Sequence, residues 1–245
     1  MTADQLYLLV PAIFVVAFLY SSVGHAGASG YIAVMSLFGL VPSIVKPTAL
    51  SLNLLVASIG AWQFWRAGHF SWPLFWPFAL LSIPFAYLGG YVNVPTHIFK
   101  ILVGVVLLFS AFRFFLRPAA DEVTSKPSYP AAISIGAGLG FLSGLTGTGG
   151  GIFLTPLLLF MRWARAKSAA AVSALFILVN SASGLLGHFS STKNFPALAI
   201  PLAVAAVLGG TAGSYLGSHR LQHTAIKRLL AIVLLIAGAK LIFTK

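Results

Sequence analysis

The strongest constraint on this chain is its succession of long apolar runs, broken by little more than glycine, proline and single positive charges. They fall at roughly 6–23, 31–41, 48–65, 73–92 and 98–115, then at 131–145, 152–161, 168–186, 196–216 and 226–243. A helix that crosses a bilayer needs about 20 apolar residues. The third, fourth and fifth runs of each half meet that length. The second run of each half is short, and a Gly-rich turn joins it to the first. Soluble domains carry about 25% charged residues, whereas only 7% are charged here and 59% are hydrophobic. The chain reads as an all-α polytopic membrane protein.

The few charges are unevenly chosen. Lys and Arg number 15 against 3 acids, a net charge of +12. Nucleic-acid binding needs such charge clustered on a solvated face; here the cations stand singly or in small groups between apolar runs, which excludes that partner. The acids are Asp4, Asp121 and Glu122, all outside the runs. No carboxylate pair can therefore relay protons or sodium through the membrane. Cysteine is absent, which removes disulfides, thiolate metal sites and a cysteine nucleophile. No cofactor or metal is expected. The first run passes into Gly24-His25-Ala26-Gly27 without a basic leader or cleavage pattern, and reads as a retained helix.

The two halves resemble each other. Gly24 to Ile32 (GHAGASGYI) lies over Gly144 to Ile152 (GLTGTGGGI), Gly68-His69-Phe70 over Gly187-His188-Phe189, and Tyr87-Leu88-Gly89 over Tyr215-Leu216-Gly217. Their common order marks a duplication: a first membrane repeat at 1–117, a polar linker at 118–130 and a second repeat at 131–245. If each Gly-rich turn tips a broken-helix hairpin, each half makes that hairpin plus three transmembrane helices. Three crossings invert the second repeat relative to the first. Under that arrangement every arginine falls on one side, and the other holds only Lys46, Lys100, Lys193, Lys240 and Lys245. The positive-inside rule then puts the arginine side in the cytoplasm and both termini outside. A parallel duplication is the alternative. The histidines at 69 and 188 are expected at helix ends. Trp62, Trp65, Trp72 and Trp76 flank one loop as an interfacial belt.

Broken helices at membrane depth survive only inside protein or along a cavity. In inverted-repeat transporters the half-helix N-termini face an anionic group of the substrate. Here the candidate substrate-binding residues are Ser21, Ser22, His25, Gly27, Ser29 and Gly30 at the first tip. Thr146, Gly147, Thr148, Gly149 and Gly150 form the second. Glycines let backbone N–H groups approach an anion, and the hydroxyls add neutral donors. Asn53, Asn180 and Ser183 on the third runs are candidates to line the path. Close helix packing is the better explanation of any single one of these small residues; two matched clusters at interrupted helices reverse that balance and favour a site. His25 could hold an anion when protonated, or couple a proton.

The first Gly-rich segment, the second (Leu142-Ser143-Gly144-Leu145-Thr146-Gly147-Thr148-Gly149-Gly150-Gly151, running on to Pro156) and the duplication resemble the sulfite and organosulfonate exporter permeases of the TauE/SafE type, over nearly the whole chain. That resemblance implies transport of sulfite, an organosulfonate such as sulfoacetate, or thiosulfate, outward across the bacterial inner membrane. The substrate would be a small anion and the surroundings a lipid bilayer; the oligomeric state stays open. An anion leaving a cell of negative interior gains about 2.3 kcal/mol per charge per 100 mV, so membrane potential alone, or proton coupling, can drive export. A rival reading takes Gly27-Ala28-Ser29-Gly30 as the serine motif of an intramembrane protease, which needs a histidine base in reach. A non-transporting membrane scaffold is the third.

Overall fold

The computed structural model describes residues 3–92, 125–193 and 197–222, with single positions at 108, 112, 225, 228, 232, 235 and 239. The apolar runs at 98–115 and 226–243 therefore lie, but for those positions, outside the described residues, as do the cations at 100, 113, 117, 227, 240 and 245.

The described elements are all helical. They are α1 (Ala3–Ser21), α2 (Ala28–Leu37), α3 (Pro42–Arg66), α4 (Trp72–Tyr91), α5 (Tyr129–Thr146), α6 (Gly151–Phe160), α7 (Ala166–Thr192) and α8 (Ala199–Tyr215). A π-helical turn, Leu216–Arg220, continues α8. By length and composition α3, α4, α5, α7 and α8 can each span a membrane. The ten-residue α2 and α6 reach about 15 Å, half a bilayer core. Helix ends lie close to the punctuation in the sequence, with two clear exceptions: α3 starts six residues before its apolar run, at Pro42, and α7 outruns its own. α7 runs six residues beyond the apolar run to Thr192, because Ser190, Ser191 and Thr192 return their hydroxyls to carbonyls at Leu186 and His188. His188 is thus inside a helix and buried, not at an exposed end as its sequence position implied.

Packing repeats between the halves. α4 packs on α5 as α8 packs on α1; α4 meets α7 as α8 meets α3; α2 lies on α3 as α6 lies on α7. Glycine makes the two closest of these contacts. Gly136, Gly140 and Gly144 of α5 sit against the carbonyls of Phe78, Ser82 and Ala86 on α4. Gly209, Gly213 and Gly217 sit likewise against Phe14, Phe18 and Ser22 on and just beyond α1. A Cβ at any of the six would overlap backbone, so the four-residue spacing is a packing seam. Both pairs run parallel. The opposite face of α8 presents Ile200, Val204 and Leu208, all more than half exposed, as a stripe suited to lipid.

The two longest helices, α3 and α7, cross the centre and run antiparallel. Phe64 packs with Ala170 and Ala171, Gly60 faces Ala174, Asn53 bonds Ser181, and Leu50 faces Gly184. Trp62, Trp65 and Trp72 are exposed around the end of α3, as expected for a belt.

Candidate functional site

Each short helix starts from a break. α1 ends at Ser21 and the chain turns through Gly24 (φ +80°) and Gly27 (φ +105°) before α2 starts at Ala28. α5 ends at Thr146 and turns through Gly147 (φ +76°), Gly149 (φ +78°) and Gly150 (φ +80°) before Gly151 opens α6. Only glycine takes such φ values without strain. In backbone conformation Gly24 matches Gly147 and Gly27 matches Gly150, so the halves align three residues away from the register read in the sequence. In segments this rich in glycine, letter matches slide, and His25 stands opposite Thr148 instead of Leu145.

The tips meet at mid-height of α3 and α7. Asn53, fully buried, joins them: its Oδ1 accepts from the Ala28 N–H at 3.0 Å, and its Nδ2 donates to the Thr148 carbonyl at 3.2 Å and to Ser181 Oγ at 3.3 Å. His25 makes a second link, Nε2 lying 3.0 Å from the Gly151 carbonyl. A carbonyl only accepts, so Nε2 carries the proton and the buried Nδ1, which has no partner, presents a lone pair. The first N–H groups of a helix have no partner within it, and both short helices point theirs into this junction.

Around it the hydroxyls divide. Thr146 Oγ1 caps the carbonyl of Leu142, accepts from the Thr148 N–H and shares a 2.8 Å hydrogen bond with Thr148 Oγ1. Ser29 Oγ donates to Tyr20 Oη at 3.2 Å. Ser22 returns its hydroxyl to Leu19, and Ser183 gives its own to Ile83 of α4; both serve packing. Gly30 also packs, since a Cβ there would lie 2.5 Å from Val16 Cγ1. Asn180 is bound to its own helix through Phe176, leaving Oδ1 buried and unpartnered. Ser21 Oγ and Ser143 Oγ, in the last turns of the two descending arms, are buried without partners among the described residues as well. Buried polar atoms without partners are rare, and three of these lie in or next to the tips.

The sequence reading of the site missed one residue and ranked another too low. Ser181, not Asn180, is the α7 residue that meets Asn53. Lys46, read there as an outer-loop charge, lies within α3 against the second tip: a Cβ at Gly147 would be 3.0 Å from Lys46 Cγ. At the other end of α3, a recess of about 400 Å³ is lined by Trp62, Gln63, Arg66, Tyr215 and His219, with the Arg66 guanidinium 5.8 Å from the Trp62 ring centre. No group of three metal-ligating side chains occurs among the described residues.

The serine-protease arrangement is not formed. Ser29 bonds a tyrosine, and the imidazole of His25 is committed to a backbone carbonyl on the opposite tip.

Comparison with known proteins agrees with the membrane architecture. Residues 9–241 match the family model described as sulfite exporter TauE/SafE. A protein of Sinorhizobium fredii named as a probable membrane transporter is 41% identical over 240 residues, covering 96% of this chain and 97% of the relative. One of Methanocaldococcus jannaschii is 26% identical over 98% of this chain and 96% of its own, and one of Bacillus subtilis 28% identical over 68% of each; both carry the same description. No solved structure matches. The chain belongs to the TauE/SafE family of membrane transporters.

Proposed function

We propose that the chain is a bacterial inner-membrane permease that moves a small sulfur-containing anion outward, holding it between the two Gly-rich tips. Sulfite, an organosulfonate such as sulfoacetate, and thiosulfate are the substrates of choice. The observation that carries this reading is Asn53, which ties the N-termini of two half-length helices together in the middle of the bundle. Each N-terminus carries about half a positive charge, and two facing one point favour an anion without any buried cation. Thr148, Ser21 and Ser143 supply neutral donors next to it.

The antiparallel crossing of α3 and α7 supports inverted repeats. These helices hold corresponding places in the two halves, and a two-fold axis in the membrane plane reverses corresponding helices, whereas an axis along the membrane normal keeps them parallel. The arginine side then faces the cytoplasm and the termini face outward. Arg66 at the recess would draw anions from the cytoplasm. Potential drives export; His25 is the one titratable side chain joining the tips, and coupling to protons would run through its Nδ1.

The test is flux from proteoliposomes loaded with sulfite, sulfoacetate or thiosulfate, with potential and pH gradient imposed separately. Efflux of at least one anion that rises with interior-negative potential is expected. Flux that answers only to the pH gradient would assign coupling to His25, and no flux of any of the three would overturn the reading.

A further inference from the structure

We infer that Lys46 and His188 form a second anion-binding station, between the Gly147 tip and the far ends of α3 and α7, for the same class of small oxyanion. The inference rests on the reading of the chain as an anion permease. It starts from helix register. Asn53 meets Ser181 and Leu50 meets Gly184, so one turn further along the antiparallel pair Lys46 comes opposite His188. Both converge on the last turn of α4. Lys46 Nζ donates to the Gly90 carbonyl at 3.3 Å, and Gly187, next to His188, abuts the Tyr87 carbonyl and the Tyr91 N–H.

Neither group is satisfied by the described residues around it. His188 is 3% exposed, and neither ring nitrogen has a partner among the described residues. Lys46 is half-buried and among them makes one long hydrogen bond to a neutral carbonyl. The three acids, Asp4, Asp121 and Glu122, all fall outside the apolar runs of the sequence. A cation partly withdrawn from water gains from a counter-charge. A small oxyanion supplies one, accepting from the Lys46 ammonium and from one imidazole N–H of His188. Lys46 lies against Gly147 while Thr148, the next residue, bonds Asn53, so an anion held here is one step from the tips. Two adjacent weak sites would let an anion leave the first without meeting an uncompensated barrier.

The experiment uses the full chain in nanodiscs and in proteoliposomes, with sulfite as the probe. Lys46→Gln should raise KM for sulfite efflux about tenfold, the loss of about 1.4 kcal/mol of binding. Lys46→Arg should restore KM. His188→Gln, which keeps an N–H donor, should lie between. An unchanged KM in Lys46→Gln, or a fall in protein yield and rate with KM unmoved, would overturn the station and leave the transport reading intact. Should wild-type protein move none of sulfite, sulfoacetate and thiosulfate, the transport reading fails on its own. The station is then judged by sulfite-induced thermal stabilisation, required in wild type and absent in Lys46→Gln; no stabilisation of wild type overturns it.

Discussion

A single amide, Asn53, holds the centre of this molecule. It accepts through Oδ1 and donates twice through Nδ2, so one side chain serves both tips and α7 at once. Asn53→Ala would strand the Ala28 N–H, the Thr148 carbonyl and Ser181 Oγ. Each buried orphan costs about 1–3 kcal/mol, so thermal unfolding should drop by several degrees and flux should fall by at least about tenfold. Asn53→Asp separates the roles. It keeps the acceptor for Ala28, loses the donor to Thr148 and puts a negative charge where the anion is held, so its flux should fall further than that of Asn53→Ala. The glycines of the tips can be tested in the same spirit. Gly150→Ala incurs about 1–2 kcal/mol of backbone strain at φ +80° and places a Cβ 2.9 Å from Phe176 Cε1. Gly68→Ala, at φ +75° with nothing within 4 Å, incurs the strain alone. A larger loss of flux at Gly150 than at Gly68, measured beside thermal stability, separates a tip effect from strain.

Among the helices, α5 carries its own control. Gly140 presses on the Ser82 carbonyl of α4, whereas Gly138, two residues away on the other face, has nothing within 4 Å. Gly138→Ala should be neutral or slightly stabilising, since alanine outranks glycine in a helix by about 1 kcal/mol. Gly140→Ala must push α4 and α5 apart, and its midpoint of thermal unfolding in detergent should fall well below that of Gly138→Ala. The sequence already showed which runs could span and where each half was broken, because length and glycine placement are local properties. It could not show which glycines pack and which turn. Gly140, Gly144 and Gly147 look alike as letters, yet two lie on a neighbour's carbonyls and the third takes positive φ. The pairing of Asn53 with Ser181 was hidden for the same reason: it depends on how α3 and α7 are rotated against each other. Lys46 was misplaced because α3 starts six residues before the apolar run, at Pro42, and so draws the lysine inside.

For the whole molecule the open question is the relation of the halves to the membrane. The chain has no native cysteine, so single cysteines report without background. Gly39 lies between α2 and α3, and Arg162 at the corresponding place between α6 and α7. Inverted repeats predict that Gly39→Cys reacts with an impermeant thiol reagent from outside whole cells, and Arg162→Cys only after the cytoplasmic face is opened. Reaction of both from one side would make the repeats parallel. The scarcity of acids has its physical counterpart at this scale: with no carboxylate in any apolar run, positive groups near the proposed path (Lys46 toward one end, Arg66 at the other) stay available to a passing anion.

The central claim is that an anion sits between the tips, and locating the ion tests it most directly. Selenite, whose selenium scatters anomalously and which has the pyramidal shape of sulfite, can be bound to the crystallised protein at a concentration that saturates flux. The account predicts an anomalous peak within hydrogen-bonding distance of the α2 and α6 N-termini, beside Thr148, that disappears in Asn53→Asp. Density confined to other surfaces, with the space between the tips empty under those conditions, would contradict it.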